Sequence, residues 1–437
     1  MVPARWNVAF VTELFVLAIT APVLYLPQRF ELDAVLFAGG LLAASWLWRR
    51  LWTGVWYAAT PADWPIILLV VVMLPVAVWA APDPLRTQYA WPRALVLLWN
   101  LHLFIVFVTY ASRQRRLLTP LLLIFLGSAL LIALLAPLGV NWLYKLPGVQ
   151  LILSHVPALL GFLSREGESG FHPNIVAGAL LYALPLMIAL AVAGLRRQPR
   201  NRWLWLLAGT ALYTTGVFFL LQSRGGYIGL AVALTVMVAL PHRWGRWLLA
   251  LGTVSMVVLT TTAGGNMLLT WVADNPTVEA VGGTVTLTGF RVEVWTAALL
   301  AIQDFPFTGA GLGTFQEVAM LLYPLNVSPT YYFGHAHNFW LQGAIDFGIP
   351  GLIAITAIYL AAIVQAARLW RAPLVPPGLA AGLAGSLLAQ SIFSLTDAIP
   401  LGSTANLFFW MLFGLILAVG NLTFGGGIAP KEKGRTR

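Results

Sequence analysis

Residues 211–240 read ALYTTGVFFL LQSRGGYIGL AVALTVMVAL, thirty residues carrying one charge, Arg224. About 20 apolar residues are needed to carry a helix across the hydrocarbon of a bilayer. The stretch therefore reads as parts of two spans, 203–223 and 227–241, that meet at a polar turn. An arginine beside hydrocarbon is costly, so its presence asks for a reason.

The whole chain has the same character. Of its 437 residues 59% are hydrophobic and 9% charged, and the mean hydropathy is +0.83. A soluble domain carries about 25% charged residues, so these values exclude an ordinary soluble protein. Hydropathy gives about twelve spans, at 7–27, 33–48, 64–82, 94–112, 117–139, 175–195, 203–223, 227–241, 247–266, 350–368, 378–398 and 405–422. The predicted fold is an all-α polytopic membrane protein, one membrane domain over 1–437. Two long connections, 140–174 and 267–349, interrupt the spans, the larger one between spans nine and ten. The first apolar run follows a single Arg5 without a small-residue cleavage site, so it is expected to be retained. There is no cysteine, which excludes thiol chemistry.

Basic residues set the expected orientation. With both termini in the cytoplasm, eighteen of the 25 Lys and Arg fall on the inner side. The outer side holds Arg29, Arg86, Arg93, Lys145, Arg165, Arg224 and Arg291. This follows the positive-inside rule. It also accounts for the sequence pI of about 10.1 through topology and anionic lipid, so no nucleic-acid partner is expected. Both long connections then lie outside the cytoplasmic (inner) membrane.

Three stretches carry candidate chemistry. Arg224 stands at the outer end of the seventh span, followed by Gly225, Gly226 and Gly229. One reading is an arginine snorkelling to headgroups. The other is a buried guanidinium that holds a phosphate, its planar fork matching two oxygens, with the glycines admitting a ligand or a helix. Arg291 precedes residues 292–302, which suit a short helix ended by Pro306. It is open to pairing with Glu293, to lipid headgroups or to an anionic substrate. The following GAGLG, 309–313, lacks a preceding strand and a following Lys-Ser/Thr, so it is not a nucleotide loop.

In the third stretch, FGHAHNFWLQGAIDFGIPG at 333–351, His337 and Asn338 open a helix. Asn338, Gln342 and Asp346 form a polar stripe at i, i+4 and i+8, and Gly348 and Pro350 break the helix. A histidine at a helix N-terminus is kept neutral by the helix dipole, as a general base requires. His335 and His337 as metal ligands lack further ligands at recognisable spacing; ordinary interfacial histidines are the third reading. Alternate residues of an extended segment point oppositely, so His335 is expected to face away from His337. Asp397, in SLTDAIP, is either a site residue or a helix-end cap.

His337-Asn338, nine residues, Gly348, two residues and Gly351 together resemble the signature of the O-antigen ligase and polymerase superfamily, bacterial membrane glycosyltransferases. SRGGYIGL resembles that family's Ser-Arg-Gly element, and GFRVEVWTAALLAIQDFPFTGAGLGTF its Arg-x3-Trp, Pro-x2-Gly-x-Gly segment. SGFHPNIVAGALLYALPL, 169–186, is similar to the segment leading into the sixth span. The likeness covers about 165–400. It implies transfer of a glycan from a polyprenyl-diphosphate carrier to an acceptor hydroxyl on the outer face. Arg224 and Arg291 would then hold the diphosphate and His337 would activate the acceptor, supported by Asn338, Asp397, Gly225 and Gly226. The acceptor stays open: lipid A–core, a second carrier-linked repeat or a protein side chain. No cofactor is expected, and no metal, because the nearest outer carboxylate pair, Glu166 and Glu168, is not an Asp-x-Asp and two arginines can do a metal's work. Residues 146–163 are apolar enough to lie along the outer interface and shape the carrier's approach. A secondary transporter of a small anion is the alternative class, weakened by halves that are not alike.

Overall fold

The structure, a computed structural model, describes residues 2–82, 90–140, 171–261 and 277–425 apart from 281–282, 324 and 327–332, with scattered positions between 142 and 159. The Glu166–Glu168 pair lies outside the described residues, as does most of 146–163.

The protein is an all-α multi-pass bundle. Among the described residues, nine helices are long and apolar enough to cross a membrane. Two more of the twelve predicted spans are shorter apolar helices, Arg224–Ala239 and Pro377–Phe393. The ninth predicted span falls on helix Arg243–Thr261. Among the described residues, the named strands form a two-stranded antiparallel hairpin, Thr277–Ala280 with Gly283–Thr286.

The last helix, Leu407–Phe424, is largely buried. It packs along helix Ala90–Arg113, where Gly414 leaves room for Phe107. Its Phe409 and Phe413 meet Tyr359 of helix Phe339–Trp370, and Phe409 also meets Phe339 at the start of that helix. The second glycine-rich contact joins helix Arg224–Ala239 to Pro377–Phe393. A Cβ on Gly229 would lie 2.6 Å from the Ala389 carbonyl, so only glycine lets these backbones approach.

The predicted connection 267–349 contains structure of its own. Helix Leu287–Asp304 and helix Phe315–Leu322 share a small core with the turn before His337, built on Phe290, Phe315, Phe333 and Ala336. The predicted short helix is thus longer, and Arg291 lies in its second turn rather than ahead of it.

This module is keyed into the bundle through a broken helix. Within Phe339–Trp370, Gly348 has φ 68° and ψ −178°, which parts Ile345 C=O from Ile349 N–H. Apolar surroundings do not tolerate unpaired backbone groups. Both find partners in the module: Ala310 N–H donates to Ile345 O at 2.7 Å and Ile349 N–H donates to Pro306 O at 2.7 Å. The GAGLG glycines serve this insertion. Gly309, Gly311 and Gly313 all have positive φ, and they lie against the Ile345–Gly348 backbone, Ala81 and the Arg93 side chain respectively.

At the end of the bundle away from the histidine turn, Arg49 Nη1 donates to Glu13 Oε2 at 3.0 Å, with both side chains fully buried. The pair pins helix Val2–Tyr25 to helix Leu32–Thr53. Alanine at either position strands the other charge, and should cost about 3–5 kcal/mol. Glu13→Leu combined with Arg49→Met should recover most of that. Thermal unfolding of detergent-purified protein reads both; a double variant no better than the single ones would mean that the pair itself is a net source of stability.

Candidate functional site

The site is built where several chain segments meet at one end of the bundle. Its centre is the turn Phe333–Asn338. Asn338 caps the following helix, its Oδ1 accepting from Trp340 N–H at 3.0 Å and Leu341 N–H at 3.1 Å. The Asn338 amide donates to Leu395 O at 3.0 Å, and Phe339 N–H to Ser394 O at 2.9 Å. The start of the histidine helix is therefore tied to the residues that follow helix Pro377–Phe393, which is where Asp397 stands.

Asp397 lies beyond that helix and is buried, 4% exposed. Its Oδ1 is 3.2 Å from His337 Nδ1 and also accepts from Ala398 N–H at 2.9 Å. The sequence left Asp397 open between a helix cap and a site residue; in the structure it faces His337. A carboxylate only accepts, so His337 Nδ1 carries the proton and Nε2 keeps its lone pair. Burial pushes the Asp397 carboxyl up, but the hydrogen bond from His337, the imidazoles of His337 and His335 and the guanidinium of Arg291 outweigh it. They hold it well below the usual carboxylate range.

His335 does not face away. His337 has φ 47°, in the left-handed region, and this turn swings both rings to one side, with centroids 4.5 Å apart. The alternation expected of extended chain fails because the segment is a turn. His335 Nδ1 accepts from His337 N–H at 3.2 Å, which leaves its proton on Nε2, 3.9 Å from Asp397 Oδ1. Burial, then His337, push its pKa down to about 3 against the pull of Asp397, with His172 and Arg93 adding to the depression. His335 is a neutral structural partner at physiological pH. Together His335, His337 and Asp397 place ligand atoms within 4.8 Å of one another. The third ligand that spacing did not offer thus comes from sixty residues away.

The arginines approach from two sides. Arg224 opens helix Arg224–Ala239, which Ser223 caps by accepting from Gly226 N–H at 3.4 Å. Gly225 sits against the Thr396 hydroxyl too closely for any side chain, so the arginine's backbone abuts the residue before Asp397. The expectation of a buried guanidinium is corrected: Arg224 is exposed. It stands at the rim because the glycines after it, and not the arginine, make the helix contact. Gly226 lies against the Phe218 ring. Arg291 is half-buried, and Phe290 beside it packs edge-on to His337 at 5.7 Å. Glu293 accepts from Asn326 N–H at 2.9 Å. Trp295, the tryptophan of the Arg-x3-Trp spacing, donates to Ala336 O at 2.9 Å and so docks the Arg291 helix on the histidine turn.

Sequence reasoning gave no role to Arg93 or His172, whose charges both act on His335. The signals were present. Arg93 is one of the seven outer basic residues, and His172 lies in the SGFHPN stretch. What was missing was the fold that brings both to the same end.

An imidazole held by a carboxylate that also feels the Arg291 guanidinium can take a proton from a nucleophile while positive charge nearby stabilises an anionic leaving group. Residues 208–356 match the protein-family model described as O-Antigen ligase. No curated protein matches the chain. The matched stretch, similar to the O-antigen ligase family, begins in the helix before Arg224, takes in the Arg291 helix and His337 and ends beyond the Gly348 break.

Proposed function

We propose that the protein transfers a glycan from a polyprenyl-diphosphate carrier to an acceptor hydroxyl at the outer face of the cytoplasmic membrane, with lipid A–core as the acceptor. The observation that carries this reading is the Asp397–His337 pair, with His337 Nε2 unblocked by Asp397 and Arg291 close enough to act on the carboxylate. His337 Nε2 takes the acceptor's hydroxyl proton as that oxygen bonds to the anomeric carbon. The bond from the same carbon to the diphosphate oxygen breaks, and the diphosphate leaves with the electron pair. Arg224 and Arg291 stabilise its charge. The imidazolium then loses its proton to solvent. The positive-inside rule supports a cytoplasmic end at Arg196, Arg197, Arg200 and Arg202, and with it a histidine turn on the outer side. Reconstitution with carrier-linked glycan tests the assignment, offering lipid A–core, a second carrier-linked repeat or a protein acceptor in turn. Transfer only to a second repeat would make the protein a polymerase, and transfer only to protein an oligosaccharyltransferase.

The ligand cluster His335, His337 and Asp397 supports a second reading, a metal-assisted transfer. The arginine-based reading expects full activity in excess chelator. Activity lost to EDTA and restored by Mg²⁺ or Mn²⁺ would replace it with the metal.

A general base works only when neutral, so the rate should fall towards acid pH. His337→Ala should lose about 10²–10⁴-fold in kcat while still binding donor. Asp397 is ionised through the whole working range, since its pKa is lowered. Asp397→Asn should reduce kcat, because the tautomer of His337 is no longer fixed. Wild-type kcat in Asp397→Asn would exclude the pairing as a catalytic one. The Arg224 role is tested by shape. Arg224→Lys keeps the charge but loses the bidentate fork, so its donor turnover should fall nearly as far as that of Arg224→Ala. Wild-type turnover in Arg224→Lys would make Arg224 a headgroup anchor.

A further inference from the structure

The polar stripe on the histidine helix has a use that its members' positions define. Gln342 and Asp346 are each 1% exposed, one helical turn apart. Gln342 Oε1 accepts from Ala336 N–H at 2.8 Å, in the middle of the histidine turn. The other end of the same amide, Nε2, donates to Asp346 Oδ1 at 2.9 Å. Asp346 Oδ1 also accepts from Gly313 N–H at 2.9 Å, the last glycine of GAGLG. One continuous path of hydrogen bonds therefore runs from the histidine turn to the loop that plugs the Gly348 break. Ala336 is gripped from both sides, since its carbonyl accepts from Trp295.

We propose that Gln342 and Asp346 are positioning residues that lock the His335–His337 turn to the GAGLG loop, so that His337 keeps its left-handed backbone and presents its ring to Asp397. The inference rests on the glycosyl-transfer reading above. A left-handed non-glycine residue costs of order 1–3 kcal/mol and persists only where its surroundings over-determine it. At His337 the surroundings are Gln342 and Trp295 on the preceding residue and Asp397 on the ring. The chemistry at 342 demands an amide. One end must accept from a backbone N–H while the other donates to a carboxylate, which neither glutamate nor leucine can do. At 346 only an acceptor oxygen is required by Gly313 and Gln342.

Four variants and a cycle test this. Gln342→Leu should lower kcat about 10²-fold with little change in donor KM, the scale of a misplacement near 1 Å. Gln342→Glu should be as poor, because it sets two carboxylates face to face. Asp346→Asn keeps Oδ1 as an acceptor and should retain most of the rate, whereas Asp346→Leu should not. Combined with His337→Ala, Gln342→Leu should cost nothing further, since a residue acting through His337 has nothing left to position. If Gln342→Leu does not fold, Trp295→Phe removes the opposite grip on Ala336 and must give the same pattern. Additive losses, or a raised KM with kcat preserved, would overturn the positioning role while His337→Ala remains impaired. Wild-type transfer by His337→Ala would overturn the catalytic reading beneath it.

Discussion

A helix broken at Gly348 and repaired from outside is the constraint on which the site depends. In an apolar medium the Ile345 carbonyl and the Ile349 amide must be paired, and the helix itself cannot pair them. Ala310 and Pro306 do so. The segment around 287–322 is therefore anchored to the bundle by backbone chemistry that is indifferent to its side chains. Once anchored, it brings Arg291 and Trp295 to the histidine turn. The same break places Asp346 where its carboxylate reaches Gly313.

The start of the Arg224 helix is brought to Asp397 by packing through small residues. Gly229 brings helix Arg224–Ala239 onto Ala389, and Gly225 brings its first turn onto Thr396. Asn338 ties the histidine helix to Leu395. Each contact ends within two residues of Asp397 or on the helix that leads to it. The polar centre is one carboxylate around which three otherwise separate elements are indexed.

Hydropathy made the fold legible, because period and length respond to the bilayer alone. Each of the twelve apolar runs falls on a helix. The histidine helix and its break could be read because Asn338, Gly348 and Pro350 act locally. The partner of His337 could not, since sixty residues and a whole helix separate it from Asp397. GAGLG was read through its glycines as a loop of uncertain use. Their conformations serve packing against Ala81, Arg93 and the broken helix, and sequence does not reveal which backbone a glycine admits. The direction of His335 was misjudged for a related reason: a rule for extended chain was applied to a residue beside a left-handed turn. Arg93 lay in an apolar helix, where only tertiary structure shows what its charge faces.

The electrostatics give this arrangement a direction. A buried carboxylate is stable only among positive charge and donors, and Asp397 takes these from His337, the neighbouring His335 ring and Arg291. His335, buried among His337, His172 and Arg93, is driven to stay neutral, so the histidine next to the pair adds no charge. The pair itself carries one negative charge, a carboxylate beside a neutral imidazole, and the guanidinium of Arg291 offsets it. Arg224, exposed at the rim, keeps its charge outside that balance. A site with its inner charges already matched and a guanidinium at its rim favours an incoming anion over a neutral ligand, and water excluded on binding strengthens the preference. In the transfer proposed above, an anionic leaving group would sit towards the arginines and the proton acceptor on the Asp397 side, the separation of roles that transfer to a hydroxyl requires.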